Sequence, residues 1–169
     1  LAMGRLQGAG GNKARHFRAH LEEIARHAAL KQTRCAGDAR NLAVEAVEEG
    51  FEIIVAAGGD GTLNEVLNGI GATADGFDRA RLGVLPLGTV NVFAREMRIP
   101  IDLQKAWQII LRGREGRIDL PFAEFTSAQS SQRRWFVQLA GAGLDARAIE
   151  LVDWQLKKRI GPLAYVWAG

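Results

Sequence analysis

Two stretches of this chain are apolar almost without interruption, and each runs directly into glycine. Phe51–Ala57 (FEIIVAA) carries one polar residue, Glu52, and Arg81–Pro86 (RLGVLP) is apolar after its first arginine. Short runs of this kind, with no polar alternation, are expected of strands buried on both faces of a parallel sheet. Around them the apolar positions switch to helical spacing. Phe17, Leu21, Ile24, Ala25 and Ala28 mark one face of a helix over Asn12–Ala29, and Leu30–Cys35 follows as a short strand candidate. Ala39, Leu42, Ala43, Ala46 and Val47 mark the next helix, for which Asp38 reads as the N-cap and Gly50 as the C′ residue that stops it. A third helix starts at Thr62 with Leu63, Val66, Leu67 and Ile70 on one side, and Thr62 and Glu65 have the spacing of a capping box. Further helices are expected from near Asn91 and from Asp102, the latter with Leu103, Ala106, Trp107, Ile110 and Leu111 facing the core.

The character changes after Gly113. Gly116–Phe125 and Arg134–Ala140 read as two strands joined by the polar stretch SAQSSQRR, and a final helix is expected over Asp145–Ile160. Strands alternating with helices predict an α/β domain with a mainly parallel sheet flanked by helices, followed by a C-terminal antiparallel strand pair.

Composition narrows the function classes. A length of 169 residues suits one domain, and 47% hydrophobic with 24% charged residues is ordinary for a soluble globular protein. Lys and Arg number 22 against 19 Asp and Glu, too small an excess to indicate a nucleic-acid partner. Cys35 is the single cysteine, so no internal disulfide framework is possible and a reducing, cytoplasmic setting is the expectation. No apolar run approaches the roughly 18 residues needed to span a bilayer, and no signal-peptide pattern opens the chain. The chain starts Leu1-Ala2-Met3 and stops at Val166-Trp167-Ala168-Gly169, which reads as truncation at both ends.

Several of the 20 glycines cluster at the two strand-to-helix junctions, where the chemistry is expected. Gly58-Gly59-Asp60-Gly61-Thr62 follows the first buried strand and opens a helix. Glycines there let the backbone turn tightly and present N–H groups to an anion, reinforced by the helix N-terminus. Asp60 inside a phosphate cradle would repel phosphate unless Mg²⁺ or a hydroxyl proton lies between them, the combination that phosphoryl transfer requires. The plainer alternative is a Gly-rich turn with Asp60 solvated. Leu87-Gly88-Thr89-Val90-Asn91 follows the second buried strand, and loops at the carboxyl ends of strands gather at the ligand crevice of an open α/β sheet. Thr89 can donate a hydroxyl to phosphate; Asn91 either caps the next helix or contacts the ligand.

Taken together, GGDGTLNEVLNGI (58–70) and LGVLPLGTVNVFARE (82–96) resemble the catalytic domain of diacylglycerol kinases and their relatives, the sphingosine and bacterial lipid kinases. The resemblance continues through Arg117-Ile118-Asp119-Leu120, Gly141-Ala142-Gly143-Leu144-Asp145-Ala146, and Lys157 to Tyr165, in the expected order. It implies a nucleotide-binding domain of the NAD kinase and phosphofructokinase kind, ATP as donor, Mg²⁺, and transfer of the γ-phosphate to a lipid hydroxyl at a membrane surface. By the same resemblance Gly58, Gly59, Asp60, Gly61 and Thr62 line the triphosphate site together with Gly88, Thr89 and Asn91. Lys158, with Lys157 and Arg159, lies where basic residues approach phosphate, and Asp145 matches a position near the lipid head group. Asp60 is the implied catalytic residue and metal contact, as base or as organiser of Mg²⁺.

The chain departs from the pattern in three places. Gly8–Lys13 keeps glycines but lacks the Asn-Pro that usually precedes the first glycine loop; Val90 and Val92 stand where relatives commonly read GTGN or GTAN followed by Asp; and the second, β-rich domain of the family is absent, so residues 1–169 are read as a single nucleotide-binding domain. An NAD kinase-like enzyme, which also carries GGDG, and a non-catalytic nucleotide- or lipid-binding module are the competing readings. His16 and His20 are spaced four apart without further metal-ligand pattern and are read as a solvated helix flank. Arg133-Arg134 and Lys157-Lys158-Arg159 read either as a solvated basic patch or as peripheral contact with an anionic membrane, and apolar surface at 165–169 offers a homodimer contact.

Overall fold

The computed structural model of the chain describes residues 2–3, 19, 21–22, 26, 28–127, 130–138, 140–141 and 143. The chain divides into two compact units, Leu1–Val137 and Gln138–Gly169, and the elements described here belong to the first. In chain order they are β1 (Ala2–Met3), β2 (Lys31–Gln32), α1 (Asp38–Glu48), β3 (Ile53–Gly58), α2 (Asp60–Ile70), α3 (Gly76–Arg79), β4 (Arg81–Pro86), α4 (Val92–Glu96), α5 (Leu103–Leu111), β5 (Phe122–Ser127) and β6 (Ser130–Trp135).

β1 to β4 form a parallel sheet in the order β2-β1-β3-β4, and β5 and β6 pair antiparallel. The expected α/β architecture with a parallel sheet and a C-terminal antiparallel pair is thus present. The buried strands read as anticipated because both faces are covered. Ile54 and Ala56 turn to one side, against Ala39, Ala43 and Val47 of α1 and Leu63, Val66 and Ile70 of α2. Val55 and Ala57 turn to the other, against Leu21 and against Leu103 and Ala106 of α5. β3 and β4 run in register from Ile53↔Arg81 to Gly58↔Pro86, so their carboxyl ends lie side by side.

Local signals explain several boundaries. Gly50 adopts φ 86°, its N–H donating to Val47 and that of Phe51 to Ala46, the paired bonds of a Schellman stop for α1. Asp102 caps α5 by accepting from the Lys105 N–H at 2.9 Å. α1 and α2 cross at Gly69, where an added Cβ would run into the Arg40 carbonyl and lie 2.6 Å from the Ala43 Cβ.

Other expectations are corrected. Asp38 is not an N-cap: that position belongs to Gly37, and the Asp38 carboxylate instead accepts from the N–H groups of Arg34 (2.7 Å) and Cys35 (3.1 Å). Those bonds turn the chain, and the strand expected to reach Cys35 stops at Gln32. Thr62 and Glu65 make no capping box; α2 starts two residues earlier, behind Gly59, with no side-chain cap, and the Glu65 carboxylate accepts from Ala39 N–H at the start of α1 (3.2 Å). The antiparallel pair lies at 122–127 and 130–135 rather than 116–125 and 134–140, because much of the stretch read as a polar connection is strand β6 itself. β1 was not anticipated. In the helix expected over 12–29, Ala19, Leu21 and Glu22 are helical and Leu21 is fully buried; most of that span, the helix expected at 145–160 and the loop at 8–13 lie outside the described residues.

Asp38 also sets a pH dependence. The N–H of Arg34, then the thiol and N–H of Cys35, hold its carboxyl below the ordinary range, while donation to Asp38 Oδ1 (3.2 Å) and its charge push the Cys35 thiol up. A carboxyl with a lowered folded-state pKa contributes stability that is fully present above the unfolded value of about 3.9 and is lost as pH falls through the folded value. The urea midpoint of the wild type should therefore exceed that of Asp38→Ala at pH 6, and the gap should narrow as pH falls below about 3.9 and close as Asp38 protonates in the folded state. The same thiol should alkylate more slowly at pH 8 than free cysteine.

Candidate functional site

The sheet order places a topological switch point between β1 and β3, since the chain leaves β1 to one side for β2 and to the other for β3. Ligands of open α/β sheets bind outside the carboxyl strand ends at such a point. Gly58 to Thr62 leave β3 there, and Leu87 to Asn91 leave the neighbouring end of β4.

The two loops are in backbone contact. A Cβ on Gly88 would sit 2.5 Å from the Cα of Gly59 and 2.7 Å from Asn91 Oδ1, and a Cβ on Gly59 would sit 3.1 Å from the Gly88 Cα. The N–H of Leu87 donates to the Gly58 carbonyl at 2.9 Å, extending the β3–β4 ladder to the point where the loops touch. Gly58 is needed for another reason: the Thr62 side chain folds back over it, with Oγ1 2.5 Å from where a Cβ would be. Gly61 differs, because a Cβ there would meet nothing within 4 Å. The 11-residue helix α2 thus starts behind Gly59, which has no side chain with which to cap it, and leaves open space over Gly61. The first-turn N–H groups and the helix dipole make that end suited to an anion.

Asp60 and Asn91 act on the second loop. Asn91 is 5% exposed and holds the left-handed conformation, φ 52°. Its Oδ1 accepts from Gly88 N–H and its Nδ2 donates to the Gly88 carbonyl, both at 2.8 Å, so the side chain staples the loop and, although it stands at the N-cap position of α4, gives that helix no cap bond. The Asp60 carboxylate crosses from the first loop to α4, accepting from Val92 N–H at 3.1 Å and Phe93 N–H at 3.3 Å. Thr89 and Val90 are exposed at the loop tip. The expected residues Gly58, Gly59, Asp60, Gly61, Thr62, Gly88, Thr89 and Asn91 are therefore brought together; Asp145 and Lys158 lie outside the described residues. Among the described residues no three His, Cys, Asp or Glu side chains are grouped to hold a metal.

At the far end of α2 stands a second polar contact that the sequence reading missed. Asn68, 5% exposed, accepts from the Trp135 N–H and donates to the Trp135 carbonyl, both at 2.9 Å, as a strand neighbour would. Gly71 leaves room for the Trp135 indole, which also meets the rings of Phe77 and Phe122 edge-on. An Asn inside an otherwise apolar helical face was the available signal, because a buried amide requires partners.

The diacylglycerol kinase catalytic domain family matches this chain over residues 6–122, more than half its length. The chain belongs to that family. Diacylglycerol kinase of Staphylococcus saprophyticus is 35% identical over 149 residues, which is 88% of this chain and 45% of the relative. That of Staphylococcus aureus is 36% identical over 149 residues, 88% of this chain and 44% of the relative. The chain therefore spans a little under half the length of these diacylglycerol kinases. A crystal structure of a diacylglycerol kinase from Bacillus anthracis shares the fold at TM-score 0.58 and 22% identity, covering 71% of this chain and 42% of that one. No helix among the described residues is long and apolar enough to cross a membrane.

Proposed function

We propose that this domain is the nucleotide-binding part of an ATP-dependent lipid kinase, which passes the γ-phosphate of ATP to a lipid hydroxyl such as that of diacylglycerol. The observation that carries the reading is the contact of two glycine loops at adjacent strand ends, beside the N-terminus of α2. Backbone N–H groups of Gly59 to Thr62 would hold phosphate, with Thr89 donating its hydroxyl from the second loop. In this reading Asp60 would serve as the catalytic carboxylate and metal contact. Mg²⁺, where bound, neutralises charge on the phosphates; the protein's own part is positioning and water exclusion. Lys158 toward phosphate, Asp145 toward the lipid head group, a scaffold of the NAD kinase and phosphofructokinase kind, and a cytoplasmic enzyme making peripheral membrane contact belong to the same proposal, as does closure of the cleft by a second domain. Family membership and the 35–36% identity to diacylglycerol kinases support it.

Calorimetric titration with Mg·ATP, Mg·ADP and NAD tests it on wild type and on Gly61→Ala. The new methyl meets no protein atom, so Gly61→Ala should keep or raise stability by roughly 0.5–1 kcal/mol, as Gly-to-Ala does within helices. Phosphate lying against that backbone would nevertheless be displaced. Saturable adenine-nucleotide binding that Gly61→Ala weakens at least tenfold is the expected result. Tighter binding of NAD than of ATP would redirect the assignment to an NAD kinase-like enzyme, and unchanged ATP affinity in Gly61→Ala would remove the cradle.

A further inference from the structure

Asp60 enters the proposed reaction as a charged group beside phosphate, but its carboxylate already has work within the fold. It is half-buried, and it accepts from two consecutive backbone N–H groups, Val92 and Phe93, 32 and 33 positions along the chain. Those are first-turn N–H groups of α4, the helix that the second glycine loop leads into. Every α-helix leaves such donors without intrahelical partners, and a short helix has few other bonds to hold it. No side-chain bond from Asn91 caps α4, because both polar ends of that amide are engaged with Gly88. The cap comes instead from the other loop.

We infer that Asp60 is a positioning residue for the second glycine loop: its carboxylate caps α4 and thereby sets the spacing between the loops that Gly59 and Gly88 allow to touch. Contact between two glycines supplies closeness but little attraction, whereas a carboxylate accepting two N–H bonds supplies a directional, charge-assisted tie. Thr89, carried on the segment between Gly88 and Asn91, is held at its place by this tie. A carboxylate has about four lone-pair positions, so capping leaves capacity for the charge-based role already proposed, and the two roles separate by mutation. The functional consequence rests on the nucleotide-site reading; the tie itself does not.

Amide hydrogen exchange by NMR on this chain, read at Val92 and Phe93, distinguishes them, with Mg·ADP affinity measured on the same samples. In Asp60→Ala both amides should exchange at least tenfold faster while amides of β3 and β4 keep their rates, and the Mg·ADP Kd should rise at least tenfold. Asp60→Asn keeps one acceptor and loses the charge, so one of the two amides should retain protection, with a Kd between those of wild type and Asp60→Ala. Wild-type exchange at both amides in Asp60→Ala would overturn the inference. So would equal loss of Mg·ADP binding in both variants with both amides still protected, since Asp60 would then act on the ligand alone. If Asp60→Ala does not fold, Asp60→Asn decides: faster exchange at one amide supports the tie, and wild-type rates at both overturn it. Failure of the wild type to bind Mg·ADP would count against the kinase reading, while the exchange rates still decide the role of Asp60.

Discussion

Gly88→Ala should damage nucleotide binding more than a methyl added at any other of the described glycines. The new Cβ would lie 2.5 Å from the Gly59 Cα, against about 3.5–4.0 Å for relaxed carbon contacts, so the loops must part by roughly 1 Å. Neither side can yield by rotating a side chain, because the facing atom is backbone. Overpacking of this kind costs about 1–3 kcal/mol, which for a domain of this size lowers Tm by about 2–4 °C per kcal/mol. The functional loss should be larger than the stability loss. A displacement of about 1 Å at a reacting centre can cost on the order of 100-fold, and the added methyl also crowds Asn91 Oδ1, which holds the Gly88 peptide. Melting and Mg·ATP titration of Gly88→Ala beside Gly61→Ala check the contrast: the first should lose both stability and affinity, the second affinity alone. A Gly88→Ala protein that binds as tightly as wild type would show that the loops do not act together.

Asn68→Ala should be the most destabilising polar substitution in the described part of the fold. It removes an amide that satisfies both the N–H and the carbonyl of Trp135 and leaves those groups without their partner at the packed end of β6. Each buried group left unsatisfied costs about 1–3 kcal/mol, so a total on the order of 3 kcal/mol is expected. The antiparallel pair should loosen first, because the Trp135 indole depends on that anchor to stay between Gly71, Phe77 and Phe122. Urea unfolding gives the total, and exchange of the β5–β6 amides gives the local effect. Asn68→Asp provides the control: it keeps the acceptor for Trp135 N–H but places a carboxylate against the Trp135 carbonyl, so it should rescue little.

Much of this could be read from the sequence, and the parts that could not share a physical reason. β3 and β4 were plain because burial on both faces leaves a nearly unbroken apolar run, with Arg81 alone at the exposed start of β4, and Gly50 and Asp102 work through neighbours within their own helices. Local rules failed where a side chain found a distant partner instead. Glu65 has the right spacing to cap its own helix but caps α1; Asp38 precedes an apolar face yet bonds backward to Arg34 and Cys35; Asn68 sits on a helix and serves a strand. β6 was hidden for the opposite reason: Ser130 to Arg134 are exposed, so no alternation is imposed on them. At the site, the sequence pointed to the loops and to Asp60, Thr89 and Asn91. It could not show that Asn91 is engaged with Gly88, or that Asp60 reaches α4.

The GGDGT helix therefore carries two kinds of information in one string of letters. Asp60, Glu65 and Asn68 each tie α2 to a different element, and Gly58, Gly69 and Gly71 each make room for a neighbour. A relative of this protein with no kinase activity would still be under pressure to keep most of these residues merely to fold. The signature can outlive the reaction, and a screen for active enzymes should weight Gly61 and Thr89, the positions in these loops for which the fold shows least need.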